Sequence, residues 1–330
     1  MIDPGMVLTQ STARSRMNDW GARSIPFLFI VDFEMKAIRL FRLDQPLPEK
    51  VMCTLPHRAV IKDPPAYKPD LSFSKHPMAY TEYEEAFLEI RKHILAGNSF
   101  LANLTFPTPV ETNLTLKQLF YHSQAPYKLL LDGEFVCFSP ESFISIQDGR
   151  IFTFPMKGTI NASLAGAEQL ILSSSKETAE HHTVVDLLRN DLSRVATDVQ
   201  VSRFRYIDRI TTHEGVMLQV SSEITGKLPD DYQKQLGDIL FAMLPAGSVT
   251  GAPKAKTLEI IRQVENTDRG YYTGIFGIFD GSKLESAVMI RFIEIHAGHM
   301  RFRSGGGITF LSNAMEEYHE LIDKVYVPVA

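Results

Sequence analysis

Short apolar segments that follow one another through tight turns constrain this fold more than any other feature of the chain. Between residues 128 and 160 the segments KLLLD, FVCFS, SFISIQ and RIFTFP are typical of strands, and Asp132-Gly133 and Asp148-Gly149 are turn dipeptides between them. Strands joined by short turns pair antiparallel, whereas parallel strands need long crossovers. The pattern therefore predicts an α+β fold with largely antiparallel sheets and excludes a Rossmann fold.

Apolar patterns elsewhere predict further elements. Thr81 and Glu84 have capping-box spacing, which predicts a helix from Thr81 to about Gly97. Its buried face is predicted to be the apolar stripe Tyr83, Phe87, Ile90 and Ile94. Further helices are predicted at 176–195, 232–243, 254–264 and, capped by Asn313, up to Val325. Further strands are predicted at 26–33, 199–207, 216–225, GIFGIF, AVMIRFIEI and HMRFRSG, and the Pro-rich residues 54–80 are predicted to form a loop.

The composition is that of an ordinary globular protein. The chain has 330 residues, of which 44% are hydrophobic, and neither a low-complexity linker nor an internal repeat divides it, so we predict a single catalytic domain over 1–330. A net charge of −5 argues against nucleic acid as a partner. Cys53 and Cys137 lack metal-site or disulfide spacing, the N-terminus lacks a signal-peptide core, and no apolar stretch could cross a membrane. We therefore expect a cytoplasmic protein without membrane contacts.

Two predicted helices each carry a pair of glutamates at i,i+3 spacing. These pairs are Glu177 with Glu180 and Glu317 with Glu320, and the spacing places each pair on one helical face. Should the two faces meet, the carboxylates would need a cation, and an all-oxygen ligand set suits Mg²⁺. The alternative is that all four are solvated surface acids, with Glu320 paired to Lys324.

Two glycine-bearing segments could bring backbone close to a ligand. LPAGSVTGAPK precedes a predicted helix and contains Thr250 and Gly251, and free N–H groups there could bind an anion. SGGGITF places Gly305, Gly306 and Gly307 after a predicted strand, where they would either admit a ligand or form a flexible turn.

Lys157, in PMKGT, is predicted to end a strand. A lysine in an apolar cleft would have a depressed pKa and could act as a nucleophile, although most lysines are simply solvated. Glu141, in FSPES, lies sixteen residues earlier across an apparent hairpin and could face the same cavity, or could be only a turn residue after Pro140.

Together these motifs resemble the chorismate-utilising enzymes. The matching segments run in order from GNSFLANLT through FSPESF, PMKGT, VDLLRND, GSVTGAPK and GGGI to EEYHELIDKV. They cover residues 81–327, whereas residues 1–80 match loosely. The resemblance implies two stacked, largely antiparallel β-sheets with helices packed outside and the active site in the cleft between the sheets.

The same resemblance implies roles for individual residues. In that family the acids that match Glu180 and Glu320 hold Mg²⁺, and those that match Glu177 and Glu317 support them. The positions that match its substrate-binding residues are Thr159, Thr250, Gly251, Arg291, Gly305, Gly306, Gly307 and Lys324.

The lysine in PMKGT is similar to that of the aminodeoxychorismate synthases in the family, whereas its anthranilate and isochorismate synthases usually carry alanine. The resemblance implies that Lys157 attacks C2 of chorismate while Glu141 protonates the departing C4 hydroxyl. Ammonia would then replace the lysine at C4 and give 4-amino-4-deoxychorismate, a precursor of p-aminobenzoate and folate. The alternatives are an anthranilate synthase component I and a catalytically silent chorismate-binding subunit.

Three further comparisons refine this expectation. Gln219 stands where many relatives carry histidine, and glutamine cannot shuttle a proton, which disfavours pyruvate elimination. The stretch between Gly97 and Thr105 lacks the lysine that activates water in isochorismate synthases. No amidotransferase signature accompanies Cys53 or Cys137, so a separate glutamine amidotransferase subunit is expected to supply the ammonia.

Overall fold

Two antiparallel β-sheets organise the structure, a computed structural model that describes residues 6–61, 70–173, 175–212 and 215–329. Within these residues each sheet has nine strands. The first sheet contains β1 (Phe27–Val31), β2 (Ile38–Arg42), β9 (Ser142–Gln147), β10 (Arg150–Thr153), β11 (Met156–Asn161), β12 (Thr197–Thr212), β13 (Gly215–Lys227), β15 (Ile275–Phe279) and β16 (Leu284–Val288). The second contains β3 (Val51–Leu55), β4 (Arg58–Val60), β5 (Phe73–Lys75), β6 (Leu101–Thr112), β7 (Tyr127–Leu131), β8 (Phe135–Ser139), β14 (Gly251–Ala252), β17 (Phe292–His296) and β18 (His299–Ile308).

Helices cover both sheets. They are α1 (Gln10–Ala22), α2 (Tyr80–Leu95), α3 (Leu116–His122), α4 (Ala167–Ser173), α5 (Ser175–Leu192), α6 (Leu236–Met243), α7 (Lys254–Glu265) and α8 (Ala314–Asp323). The prediction of an α+β fold with antiparallel sheets is thereby confirmed. None of the helices in the described residues combines the length and the apolar character needed to cross a bilayer.

Alternating side chains stack the two sheets on one another. On β1, Phe29 packs with the helices that cover the first sheet, whereas its neighbour Ile30 packs between the sheets. On β8, Cys137 joins Ile30 in that inner layer, and Phe138 packs outward against α3. Because successive strand residues point to opposite faces, one apolar strand contributes to two cores. Such strands appear in sequence as continuous apolar runs.

Two of the passages of the chain from one sheet to the other are short connections between consecutive strands. β8 belongs to the second sheet and β9 to the first, with Pro140 and Glu141 between them. The segment AVMIRFIEI, predicted as one strand, is divided in the same way into β16 and β17. Arg291 lies at this break with φ of 52°, a left-handed conformation that ends the first strand and redirects the chain.

Several boundaries differ from the sequence-based expectation. The apolar stripe of α2 is buried as predicted, but Ala79 is the N-cap, so the capping box at Thr81 was wrong. Glu84 instead accepts a hydrogen bond from the Tyr80 hydroxyl at 2.7 Å. The predicted loop at 54–80 contains β4 and β5, and its residues 62–69 lie outside the described part of the chain. Asn313 caps α8 as predicted, accepting from the N–H groups of Met315 and Glu316.

A buried ion pair ties α7 to the second sheet. The Arg269 guanidinium donates to both carboxylate oxygens of Glu265, at 2.9 and 2.6 Å, and the Arg269 side chain is only 1% exposed. Glu265 also accepts from the Thr105 N–H and hydroxyl on β6. Arg269 completes the network by donating to the carbonyl groups of Val249 and Asn103. Every charge in the cluster therefore has several partners, which burial of charge requires.

Glu265→Ala is expected to lower the free energy of unfolding by about 3–5 kcal/mol, because it leaves the Arg269 charge buried without its carboxylate. Urea unfolding followed by circular dichroism measures this loss. Glu259→Ala, which removes a surface contact to Lys256 on the same helix, is the control and should leave stability nearly unchanged. Equal stability of the two variants would show that the network does not hold α7 in place.

Candidate active site

A polar cleft of about 730 Å³ lies between the two sheets, with α5 and α8 at its sides. Its walls include Lys157 on β11 of the first sheet and the glycine run of β18 in the second. The predicted site residues that line it are Glu141, Lys157, Glu177, Glu180, Arg291, Gly305, Gly306, Gly307, Glu317, Glu320 and Lys324. Thr159 lies on β11 opposite Gln219 of β13, and Gln219 also lines the cleft.

Two short sheet crossings, from β8 to β9 and from β16 to β17, deliver Glu141 and Arg291 to this cleft. Each residue occupies the connection at which the chain leaves one sheet for the other, and both line the space between the sheets. Within the described residues, the Nε atom of Arg291 is buried without a hydrogen-bond partner. A buried guanidinium donor of this kind can bind a carboxylate.

Glu141 is buried and surrounded by donors and cations. Ser248 donates to its Oε1 at 2.5 Å. Burial raises the pKa of Glu141, and this effect outweighs the opposing influence of Ser248, Lys157, Lys324 and Arg291. The carboxyl group therefore keeps its proton to a higher pH than an exposed glutamate, as a proton donor in a reaction requires.

Lys157 reaches the cleft from a bulged strand. β11 pairs with β13, and the register shifts between Lys157 and Thr159, where Gly158 has φ of 75°. The hairpin predicted between Glu141 and Lys157 is present, because β9 and β10 pair antiparallel, and the two residues lie just outside its paired strands. Both residues face one cavity, and Lys157 Nζ lies 3.7 Å from Glu180 Oε2.

The glycine run forms part of strand β18 rather than following it, which excludes the flexible turn that the sequence left open as an alternative. β17 pairs with β18 only as far as Arg303, whereas β6 continues along it to Ile308. Arg303 lies opposite Pro107, and the two cannot form a hydrogen-bonded pair because proline has no N–H. Residues of β18 with the same parity as Arg303, that is, every second residue, therefore direct their N–H and carbonyl groups away from β6. Gly305 and Gly307 share the parity, and the Gly305 carbonyl accepts from Lys324 Nζ at 2.8 Å.

Both walls of the cleft lie beside the backbone of this run. A Cβ atom on Gly307 would lie 3.6 Å from Lys157 Nζ, and one on Gly306 would lie 3.4 Å from Glu317 Oε2 and 3.6 Å from Glu320 Oε1, which are ordinary contact distances. The Lys157 amine and the acids of α8 therefore flank the same short stretch of β18.

The four glutamates are suited in kind to a magnesium ion. Glu177 and Glu180 come from α5, and Glu317 and Glu320 from α8, so both helical faces meet the cleft as the i,i+3 spacing indicated. All four offer carboxylate oxygen, the donor that Mg²⁺ prefers. Among the described residues no three acidic, histidine or cysteine side chains converge closely enough to hold a metal as they stand. Magnesium binding stays a prediction.

Thr250 and Gly251 form the wall behind the cleft and are not among its lining residues. The Thr250 hydroxyl is fully buried and donates to the carbonyl groups of Ala246 and Gly247. A Cβ atom at Gly251 would lie 1.8 Å from the Leu101 carbonyl oxygen, so glycine is needed for β14 to pair with β6. Ser248 and Val249 from the same segment line the cleft. The spacing of Ser248 in the sequence gives no signal of its contact with Glu141.

Fold and cleft together define a class of protein: two stacked antiparallel sheets that enclose a site rich in carboxylates, amines and glycine backbone. Residues 44–330 match the chorismate binding enzyme family, and the chain belongs to that family. The match includes part of the segment 1–80, which we expected to match loosely.

Individual relatives agree with this assignment. The chain is 50% identical to an uncharacterized PabA-like protein of Haemophilus influenzae, over 98% of this chain and 99% of that protein. It is 33% identical to aminodeoxychorismate synthase component 1 of Salmonella typhimurium and 32% identical to an anthranilate synthase component 1 of Haloarcula marismortui. It covers 57% and 56% of those two proteins, so it spans little more than half their length.

A solved structure shows the same fold. MenF, the menaquinone-specific isochorismate synthase of Escherichia coli, superposes with a TM-score of 0.73 over 96% of this chain and 81% of that chain, at 17% sequence identity. At this level of identity the likeness establishes the architecture alone.

Ser248→Ala is expected to raise the pKa of Glu141 further, because the hydroxyl stabilises the ionised carboxylate and burial then acts with less opposition. The carboxyl ¹³C resonance of Glu141, assigned by its loss in Glu141→Gln, measures the change across a pH titration. Ser202→Ala, which removes a serine hydroxyl from the distant carboxylate of Glu223, is the control. An unchanged or lowered pKa in Ser248→Ala would contradict the contact.

Proposed function

We propose that this chain aminates chorismate at C4, the activity named in its aminodeoxychorismate synthase relatives. The observation that carries the proposal is the position of Lys157. Its amine lies in the cleft 3.7 Å from Glu180, next to the glycine run of β18, in a cavity that also contains the buried acid Glu141. An amine and a carboxyl group of raised pKa that face one cavity suit a displacement in which the amine attacks and the carboxyl group protonates the leaving group.

The first step forms a bond from the Lys157 amine to C2 of chorismate. The two conjugated double bonds of the ring shift together as the bond from C4 to its hydroxyl oxygen breaks, and Glu141 gives its proton to that oxygen, so the leaving group is water. Proton donation matters because hydroxide is a poor leaving group. Because burial raises the pKa of Glu141, the carboxyl group keeps this proton to a higher pH than an exposed glutamate does.

The second step reverses the first with ammonia. Ammonia forms a bond to C4, the two ring double bonds shift back, and the bond from C2 to Lys157 breaks with return of the electron pair to the amine. The new ammonium group carries the proton that restores Glu141. Chorismate and ammonia thus give 4-amino-4-deoxychorismate and water, and the lysine divides one difficult substitution into two easier ones.

The carboxylates of chorismate find several cationic and N–H groups in the cleft. Arg291 offers its buried Nε, Lys324 lies beside the Gly305 carbonyl, and β18 directs the N–H groups of Gly305 and Gly307 away from β6. Glu180 and Glu320, supported by Glu177 and Glu317, would hold Mg²⁺, which supplies positive charge for the ring carboxylate when bound.

A separate glutamine amidotransferase would supply the ammonia. The words "component 1" in the names of the relatives support this, because they indicate an enzyme with a further component. The two cysteines of this chain are both buried, and burial raises the pKa of Cys53 to about 12, so neither thiol is suited to attack glutamine. Purified chain should therefore use ammonium and not glutamine. Glutamine-dependent turnover by the chain alone would contradict this division of labour.

Anthranilate synthase is the second candidate, since the two kinds of relative are nearly equal in identity. The two functions differ in whether pyruvate leaves. Gln219 lines the cleft and can hydrogen-bond a substrate, but it cannot shuttle the proton that elimination moves. Chromatography of the product separates aminodeoxychorismate from anthranilate, and chorismate binding without turnover would indicate a catalytically silent subunit.

Lys157→Ala is expected to slow formation of aminodeoxychorismate from chorismate, Mg²⁺ and ammonium by roughly 1,000-fold or more, because it removes the nucleophile. Lys157→Arg is the matched variant: it keeps the charge near Glu180 but cannot attack, and it should be equally slow. Product is quantified by chromatography after a lyase converts it to p-aminobenzoate. Substantial turnover by either variant would rule out covalent catalysis by this residue.

Removal of metal by a chelator is expected to abolish turnover, and added Mg²⁺ is expected to restore it. Glu320→Gln should raise the Mg²⁺ concentration that gives half-maximal activity, because it removes a carboxylate ligand. Glu316→Gln changes a neighbouring cleft acid on the same helix that we do not assign to the metal, and it should behave like the wild type. Full activity in chelator would show that the carboxylates serve another purpose.

A further inference from the structure

The segment 243–254, which connects α6 to α7 and contains Ser248, is held at both ends by one buried ion pair. Lys254 Nζ donates to Asp191 Oδ1 at 2.8 Å and to Oδ2 at 2.7 Å. The same Nζ donates to the carbonyl of Met243 at 3.0 Å, at the other end of the segment. One ammonium group therefore joins the last residue of α6, the first residue of α7 and the C-terminal part of α5.

Asp191 also lies against the backbone immediately before Ser248. A Cβ atom at Gly247 would be 2.9 Å from Asp191 Oδ2, a distance that side chains essentially never reach. Glycine at 247 thus lets the segment approach the carboxylate closely. On the far side of Ser248 the Val249 carbonyl accepts from Arg269 at 2.8 Å, and the Thr250 carbonyl accepts from the Asn103 N–H at 2.8 Å.

Stability alone does not account for a charged pair at this place. Asp191 is 3% exposed, and burial raises its pKa and lowers that of Lys254, each effect being opposed by the charge of the other residue. Apolar side chains of similar volume often serve stability as well as a buried ion pair does. The ammonium group instead fixes the relative positions of α5, α6 and α7, because its three protons are donated to two oxygen atoms of Asp191 and to the Met243 carbonyl.

We propose that Asp191 and Lys254 are positioning residues, which hold the Ser248 hydroxyl on Glu141 through the backbone of residues 243–254. The contact they would set is the 2.5 Å hydrogen bond from Ser248 to the candidate proton donor. The groups that act on Glu141 are Ser248, Lys157 from β11, Lys324 from the end of α8 and Arg291 from the second sheet crossing. Neither member of the pair acts on Glu141 directly, so its influence passes through Ser248.

The test is the pKa of Glu141, followed by its carboxyl ¹³C resonance, in Asp191→Asn/Lys254→Met. This double substitution removes both charges together, so no buried charge is left unpaired. We expect it to shift the pKa of Glu141 upward, in the direction of Ser248→Ala. Combined with Ser248→Ala it should add no further shift, because both changes break the same contact. Lys254→Arg on its own, with Asp191 intact, keeps the charge of the pair and should retain much of the wild-type titration of Glu141.

An unchanged Glu141 titration in the double variant would overturn the proposal, and so would shifts that add to that of Ser248→Ala. A purely structural pair would lower the free energy of unfolding in urea without moving this pKa. Gly247→Ala is a second variant for the case in which the double variant does not fold. It keeps both charges but pushes the backbone from Asp191, and it should shift the pKa in the same direction.

The consequence for turnover rests on the proposed function. Displacement of Ser248 is expected to slow amination on the order of 10- to 100-fold, as small errors in position do. The two proposals fail separately. A shifted pKa in a protein that makes no aminodeoxychorismate would refute only the proposed reaction, and aminodeoxychorismate synthesis with a Glu141 pKa indifferent to the pair would refute only the positioning role.

Discussion

Packing of the two sheets against each other is the constraint on which the rest of this structure depends. Strands such as β1 and β8 are apolar on both faces because each face is buried in a different core. A chain that contributes to both sheets must cross between them, and two of these crossings are short connections between consecutive strands. Glu141 and Arg291 occupy these positions, so the architecture itself brings an acid and a guanidinium into the space between the sheets.

Charge balance in the cleft follows from that burial. Glu141 is pulled toward its neutral form by loss of solvent and toward its ionised form by Ser248 and three cations, and burial prevails. Lys157 from one wall and the acids of α8 from the other lie beside one stretch of strand, Gly306–Gly307. Two buried ion pairs, Arg269 with Glu265 and Lys254 with Asp191, stabilise the segment that presents Ser248.

Local patterns in the sequence predicted local structure, and they failed where the partner strand decides the outcome. The i,i+3 spacing of Glu177 and Glu180 indicated one helical face, and Asn313 indicated a cap, because both depend on a single turn of backbone. AVMIRFIEI reads as one strand since apolar periodicity does not record a change of sheet. Thr250 and Gly251 carry a recognisable motif, yet their motif maintains the wall of the cleft while Ser248 faces the acid.

A structure of Glu141→Gln with chorismate bound tests the central claim most directly, because the variant retains the shape of the cleft but not its proton donor. The account predicts that Lys157 Nζ lies about 3–3.5 Å from C2 of chorismate, the separation of a reactive pair. It also predicts that the C4 hydroxyl contacts the side chain at position 141. Chorismate bound with C2 turned away from Lys157, or bound outside the cleft, would contradict it.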